Sequence, residues 1–194
     1  MLQVTREPRR ERIGCLNWPE AFPYRPGAEF EISHAEDVLH LTFRVEEQAV
    51  RAVCAADREH VWEDSCVEFF FAPRADGIYY NLECSCTGKL YLCRGTGRHG
   101  RESLPEAAYG SIVRRCSLGE VPFCLREERT TWEVVLTIPA SVFGLETFAG
   151  LQARGNFYKC GDRLPVPHYL SWAPIHTPKP DFHRPEFFES IEFV

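Results

Sequence analysis

Two glutamates, Glu68 and Glu83, stand in segments that are otherwise rich in apolar residues, and this contrast makes them the first candidates for chemistry. A pair of carboxyls is the machinery of a glycosidase, one acting as acid and the other as base or nucleophile. The same side chains also serve as acceptors for ligand hydroxyls. Asn81 shares the alternation of Glu83 in the segment 78–86. Gln152, Arg154, Asn156 and Tyr158 share another in the segment 150–159. In a strand, side chains two residues apart lie on one face of the sheet. If these strands are neighbours, carboxylates, carboxamides and a guanidinium converge on one surface, a set suited to sugar hydroxyls. A self-satisfied polar network or ordinary solvated strand faces would use the same residues.

Trp62 precedes one apolar strand and Trp172 ends another. Two rings bracketing a polar cleft would stack on a pyranose, with its CH groups on the π-faces and its hydroxyls directed to the polar residues. Tryptophan at a strand end is also often core. Asp181-Phe182-His183 and His168 could suggest a metal or acid–base site, but their spacings match no ligand motif. Cys84 and Cys86 fall on one side of a strand, where a metal or redox role competes with simple burial. The chain has no CxxC, nucleophile elbow, phosphate loop or dinucleotide fingerprint.

The elements that must position these residues are strands. Val38 to Val45 alternates cleanly, with Leu39, Leu41, Phe43 and Val45 on one face and His40, Thr42 and Arg44 on the other. Further strands are predicted over 29–33, 49–55, 66–71, 78–86, 89–93, 111–116, 121–126, 131–138, 150–159, 169–172 and 190–193. Asp76-Gly77 and Thr87-Gly88 mark hairpin turns. Residues 94–110 read as a long surface loop, 139–143 as a single helical turn, and 174–185 as a proline-rich segment wrapping the surface. No long segment carries the 3.6-residue period of a helix. The fold class is therefore all-β, an antiparallel β-sandwich or jelly roll, with residues 1–14 as an N-terminal arm and 15–194 as one domain.

Charge and composition narrow the function. A net charge of −6 argues against a nucleic-acid partner. The one basic cluster, Arg6, Arg9, Arg10 and Arg12, is interleaved with Glu7 and Glu11 and reads as solvated. No apolar run approaches the length of a membrane span. The start lacks a secretory signal, so a cytoplasmic location is expected, or a periplasmic or secreted one if a signal was removed. Nine cysteines, an odd number, fit small buried hydrophobes in a reducing compartment. The 25 aromatic residues would build a thick core, and any rings left exposed would suit flat apolar ligands.

The blocks Val61-Trp-Glu-Asp-Ser-Cys-Val-Glu-Phe-Phe70, Tyr79-Tyr-Asn-Leu-Glu83, Asn156-Phe-Tyr-Lys-Cys-Gly-Asp162, Pro167-His-Tyr-Leu-Ser-Trp172 and Pro180-Asp-Phe-His-Arg-Pro185 resemble the signature blocks of carbohydrate-binding module family 9-like proteins. The resemblance spans about residues 15 to 194. It is to the stand-alone Bacteroidetes-type branch, often labelled glycoside hydrolase. The resemblance implies a β-sandwich that holds a terminal sugar between tryptophans, with polar side chains and calcium nearby. By position it points to Trp62 and Trp172 for stacking, and to Glu68, Asn81, Glu83, Arg154, Asn156 and Tyr158 for hydrogen bonding. The expected function is non-catalytic binding of a mono- or oligosaccharide by a monomer or homodimer, with no required cofactor. The alternatives are a glycoside hydrolase using Glu68 and Glu83, and a protein-interaction domain.

Overall fold

The alternation of residues 38–45 seats four apolar side chains in the interior and leaves His40 exposed, as a half-buried strand requires. The computed structural model describes residues 1–194. Sixteen strands carry the chain: β1 (Leu2–Val4), β2 (Arg9–Arg12), β3 (Cys15–Leu16), β4 (Gly27–Ala35), β5 (Val38–Glu47), β6 (Val50–Ala52), β7 (Cys66–Ala72) and β8 (Tyr79–Ser85), then β9 (Leu90–Gly95), β10 (Glu102–Ser103), β11 (Val113–Cys116), β12 (Phe123–Arg126), β13 (Thr130–Pro139), β14 (Gln152–Cys160), β15 (Tyr169–Ser171) and β16 (Glu189–Phe193).

They form two main layers. The larger sheet runs β1-β16-β14-β7-β8-β9-β10, with β15 added beside β14 and β3 beside β15. The smaller runs β11-β13-β5-β4-β2, and β12 with β6 makes a short ribbon. Their facing sides share one apolar core. At its centre Phe157 stacks between Phe30, with ring centroids 3.6 Å apart, and Phe69, at 4.6 Å. Gly155 makes room for this packing: a Cβ there would come within 2.7 Å of the Phe70 carbonyl and 2.9 Å of Ile191.

The larger sheet is covered on its other face as well. A second apolar cluster there includes Phe70, Tyr79, Tyr158, Ile175, Phe182 and Phe188. Much of this cover is the strap 173–188, tied down at several points. Asn156 Nδ2 donates to Ala173 O (3.1 Å), and Asn156 Oδ1 accepts from Ala173 N (2.9 Å). Ile175 N donates to Asn17 Oδ1, Trp18 Nε1 to Thr177 O, and Tyr158 Oη to Phe182 O. Burial on both faces is why 66–71 reads as apolar on both faces. The proline-rich segment thus wraps a sheet, and its apolar residues replace solvent there.

Two sequence expectations change. Residues 1–14 are not a solvated arm. β1 pairs parallel with β16 and buries Leu2 and Val4, while β2 pairs with β4. The segment 94–110 is not loop alone. It contains β10 and runs into a short helix, α1 (Glu106–Ser111). Buried Tyr109 on that helix accepts a hydrogen bond from Leu92 N and donates one to Leu92 O. Cys84 and Cys86 both face the core, where burial raises their thiol pKa values, so they act as apolar fillers.

Candidate functional site

On the outer face of the larger sheet, β7 and β8 place Glu68 directly opposite Glu83, and β14 places Tyr158 opposite Glu68 on the other side. One position along, Asn81 and Asn156 flank Phe70. The sheet therefore brings Glu68, Asn81, Glu83, Asn156, Tyr158 and Arg154 onto one face. They part company in what they touch.

Glu68 and Glu83 form the floor of a cavity of about 250 Å³. Trp62 stands at its wall, together with Cys160, Asp162, Tyr169 and the strap residues Asp181, Phe182 and His183. Arg98, His99 and Arg101, from the loop after β9, complete the rim. Trp62 sits in a single 3-10 turn, Val61–Glu63. Asp162 N and Arg163 N tie that turn to the chain beyond β14 by donating to Trp62 O and Glu63 O. Its ring stacks on His60 at 4.5 Å and meets Tyr91 edge-on at 5.1 Å. The indole is thus fixed and half-buried, leaving part of its surface available to a ligand.

The floor is electrostatically tense. Burial raises the Glu68 carboxyl well above the usual carboxylate range, and the neighbouring Glu83 charge raises it further. Burial raises Glu83 too, against the opposing pull of Arg101, whose Nη1 lies 3.7 Å from Glu83 Oε1. Asn81 Nδ2 donates to Glu83 Oε1 at 2.9 Å. Cys160 Sγ donates to Glu68 Oε1 at 3.1 Å. Asp162 is pushed up to about 6, chiefly by burial. His183 is pushed down to about 3 by burial and by the nearby arginines, and its Nδ1 lies 2.8 Å from the Tyr79 hydroxyl. Asn81 Oδ1 and Arg101 Nη1 are buried and make no hydrogen bond within the protein. Unpaired donors and acceptors of this kind are the groups a polar ligand satisfies.

Other predicted site residues have structural tasks. Trp172 lies on the opposite, inter-sheet side and packs edge-on against Phe30 and Phe157, so it does not clamp a ligand together with Trp62. Both ends of the Asn156 carboxamide hold the strap. Tyr158 stacks on Phe182 at 4.2 Å and so positions a cavity residue from beneath. Arg154 donates to the carbonyls of Phe188 and Glu186, away from the cavity. His168 is neither metal ligand nor acid–base group. Its Nδ1 donates to Val166 O, and its Nε2 accepts from Lys159 Nζ at 2.9 Å.

The one group of three metal-ligating side chains whose donor atoms converge is Cys66, Glu68 and Cys160. Two of those donors are thiols. The set does not suit calcium, which takes six to eight oxygen ligands.

Sequence reasoning missed Arg98, His99, Arg101, Cys160, Asp162 and Tyr169. The concentration of Arg and His in 98–101 was the available signal. In the sequence alone it is indistinguishable from loop composition, because only the fold shows that this loop leans over β8.

A family model described as carbohydrate-binding family 9 matches residues 2–193. No functionally curated protein matches the chain significantly. Among solved structures, a candidate carbohydrate-binding protein of Bacteroides uniformis superposes with a TM-score of 0.93 at 40% identity, covering 96% of this chain and 86% of that one. Two structures of a family 9 carbohydrate-binding module from Caldicellulosiruptor kristjanssonii share the fold. One, in complex with glucose, has a TM-score of 0.53 at 9% identity over 88% of this chain and 78% of that one. The other, in complex with cellotriose, has 0.57 at 10% identity over 99% and 92%. The match over nearly the whole chain and the β-sandwich agree: this protein belongs to carbohydrate-binding family 9.

Proposed function

We propose that this protein binds a saccharide without cleaving it, seating one sugar residue in the cavity above Glu68 and Glu83. The observation that carries the reading is the combination of a fixed, half-buried Trp62 wall with a polar floor where Asn81 Oδ1 and Arg101 Nη1 have no hydrogen-bond partner. An aromatic face suits the CH surface of a pyranose. The floor and rim supply acceptors from Glu68, Glu83 and Asp162 and donors from Arg98 and Arg101. The family membership and the sugar-bound structures that share the fold support the same reading.

The two glutamates support holding more than cutting. A hydrolytic pair approaches the scissile bond from two sides. Glu68 and Glu83 project side by side from adjacent strands and meet a ligand from one side. Stacking plus a few hydrogen bonds corresponds to dissociation constants of roughly micromolar to millimolar.

Calorimetry of the whole protein against a panel of mono- and oligosaccharides tests the proposal. Heat of binding that Trp62→Ala diminishes, with the fold intact, is expected. Folded protein that gives no heat with any saccharide overturns it. Reducing-sugar release that Glu68→Gln and Glu83→Gln abolish would replace it with a hydrolase.

A further inference from the structure

We propose that Cys66, Cys160 and Glu68 form a binding site for a thiophilic divalent cation, of the zinc class, at the floor of the cavity. The two Sγ atoms and a Glu68 carboxylate oxygen all lie within 4.8 Å of one another, and all three residues are buried. In a tetrahedral zinc site, bonds of about 2.3 Å to sulfur and 2.0 Å to oxygen set the ligand atoms roughly 3.5–3.8 Å apart. Cys160 Sγ and Glu68 Oε1 are already 3.1 Å apart. Small side-chain rotations are therefore enough to admit the ion.

The backbone makes the arrangement rigid. Cys66 and Cys160 are direct cross-strand partners on β7 and β14, and Glu68 follows Cys66 by two residues on the same face. Three ligands thus project from one hydrogen-bonded ladder. Two thiols select a soft or borderline cation over calcium or magnesium.

A second observation points to a cation at this position. Glu68 faces Glu83 across the ladder, and Arg101 pairs with Glu83. Glu68 has only the Cys160 thiol as hydrogen-bond donor. A dication beside Glu68 would relieve the like-charge contact that the fold builds in. The thiols, protonated without metal, would release their protons on binding. Glu68 and Cys160 line the cavity, whereas Cys66 does not. The fourth coordination position therefore opens toward the cavity, where water or a ligand hydroxyl would complete it. The site does not depend on the saccharide reading.

Titration of the reduced, full-length protein with cobalt(II) chloride tests this, read by thiolate-to-cobalt charge-transfer absorption and the visible bands of tetrahedral cobalt. One equivalent should bind, and zinc chloride should displace it. Cys160→Ser should abolish the charge-transfer band or reduce it to that of a single thiolate, and Glu68→Gln should weaken binding about tenfold or more. Cys124→Ser, at an exposed position on β12, should change nothing. Should a cysteine variant fail to fold, the wild-type protein still decides the matter, because zinc should raise its melting temperature. Folded wild-type protein with no charge-transfer band overturns the proposal. So does a band that persists at full intensity in Cys160→Ser.

Discussion

Lys159 Nζ lies 2.9 Å from Glu47 Oε2, and neither side chain reaches solvent. Lys159 is on β14 of the larger sheet and Glu47 ends β5 of the smaller, so the pair bolts one layer to the other. Trp132 Nε1 donates to the second Glu47 oxygen at 2.7 Å. His168 accepts a hydrogen bond from the ammonium. Removing one partner would leave a buried charge with no counterion. Lys159→Met should cost about 3–5 kcal/mol of stability. The double variant Glu47→Gln, Lys159→Met should recover much of that loss, because Gln keeps an acceptor for Trp132 and carries no charge. Urea denaturation of the three proteins measures both. A loss under about 1 kcal/mol in Lys159→Met would show that the bolt is slack.

His168 sets a pH dependence. Burial and the adjacent Lys159 charge push its pKa from 6.5 down to about 2. Between those values the unfolded chain binds a proton that the folded chain refuses. This group therefore removes stability as pH falls through 6.5, by about 1.4 kcal/mol per pH unit once well below it. His168→Gln, which keeps an acceptor for Lys159, should lose that slope. Relative to wild type, the variant should gain about 2 kcal/mol between pH 7 and pH 5. Denaturation curves at the two pH values give the comparison, and parallel losses in both proteins would refute the assignment.

The two tryptophans should separate cleanly. Trp62→Ala should weaken saccharide binding by about 1–2 kcal/mol, or roughly tenfold, while leaving the melting temperature close to wild type. Trp172→Ala removes a ring that packs edge-on against the stacked pair Phe30 and Phe157. It should lower stability by about 2–3 kcal/mol and affect binding only through that loss. Calorimetry and thermal melts on both variants distinguish the roles. A stability-neutral Trp172→Ala with lost affinity would reverse them.

Asn156 is the hinge pin of the strap. Asn156→Ala leaves Ala173 N unpaired in a buried setting, at about 1–3 kcal/mol, and leaves Ala173 O with the Ser171 hydroxyl as its remaining donor. The strap carries Asp181, Phe182 and His183 into the cavity, so affinity for saccharide should fall along with stability. Hydrogen exchange should report the loosening as faster exchange across 173–183. Unchanged protection there would show that the other ties suffice.

What could be read directly from the residues was whatever repeats along a single strand. Leu39, Leu41, Phe43 and Val45 announced β5, and the same rule put Glu68, Asn81, Glu83 and Asn156 on one face. The alternation does not say what lies above that face. Asn156 and Tyr158 look like ligand-binding groups until the strap is seen to occupy them. Trp172 follows the last residue of a three-residue strand, too short for alternation to say which side the ring takes. Arg98 and Arg101 reach the cavity through a loop with no periodicity at all. The pairing of β1 with β16 joins segments nearly 190 residues apart, and the charged residues 6–12 hid the apolar Leu2 and Val4 ahead of them.

That pairing of the first strand with the last bears on how the molecule is made. Leu2 sits beside Ile191 and Val4 beside Phe193, and Val194 N donates to Val4 O. During synthesis β1 emerges with no partner and stays unpaired until β16 follows it, nearly 190 residues later. Until then its apolar side chains lack their burial, and the edge of the larger sheet cannot close. Late-forming, non-local strand pairing slows folding and exposes the growing chain to aggregation. β16 therefore acts as a latch, and the domain reaches its final state when that strand closes the sheet beside β1.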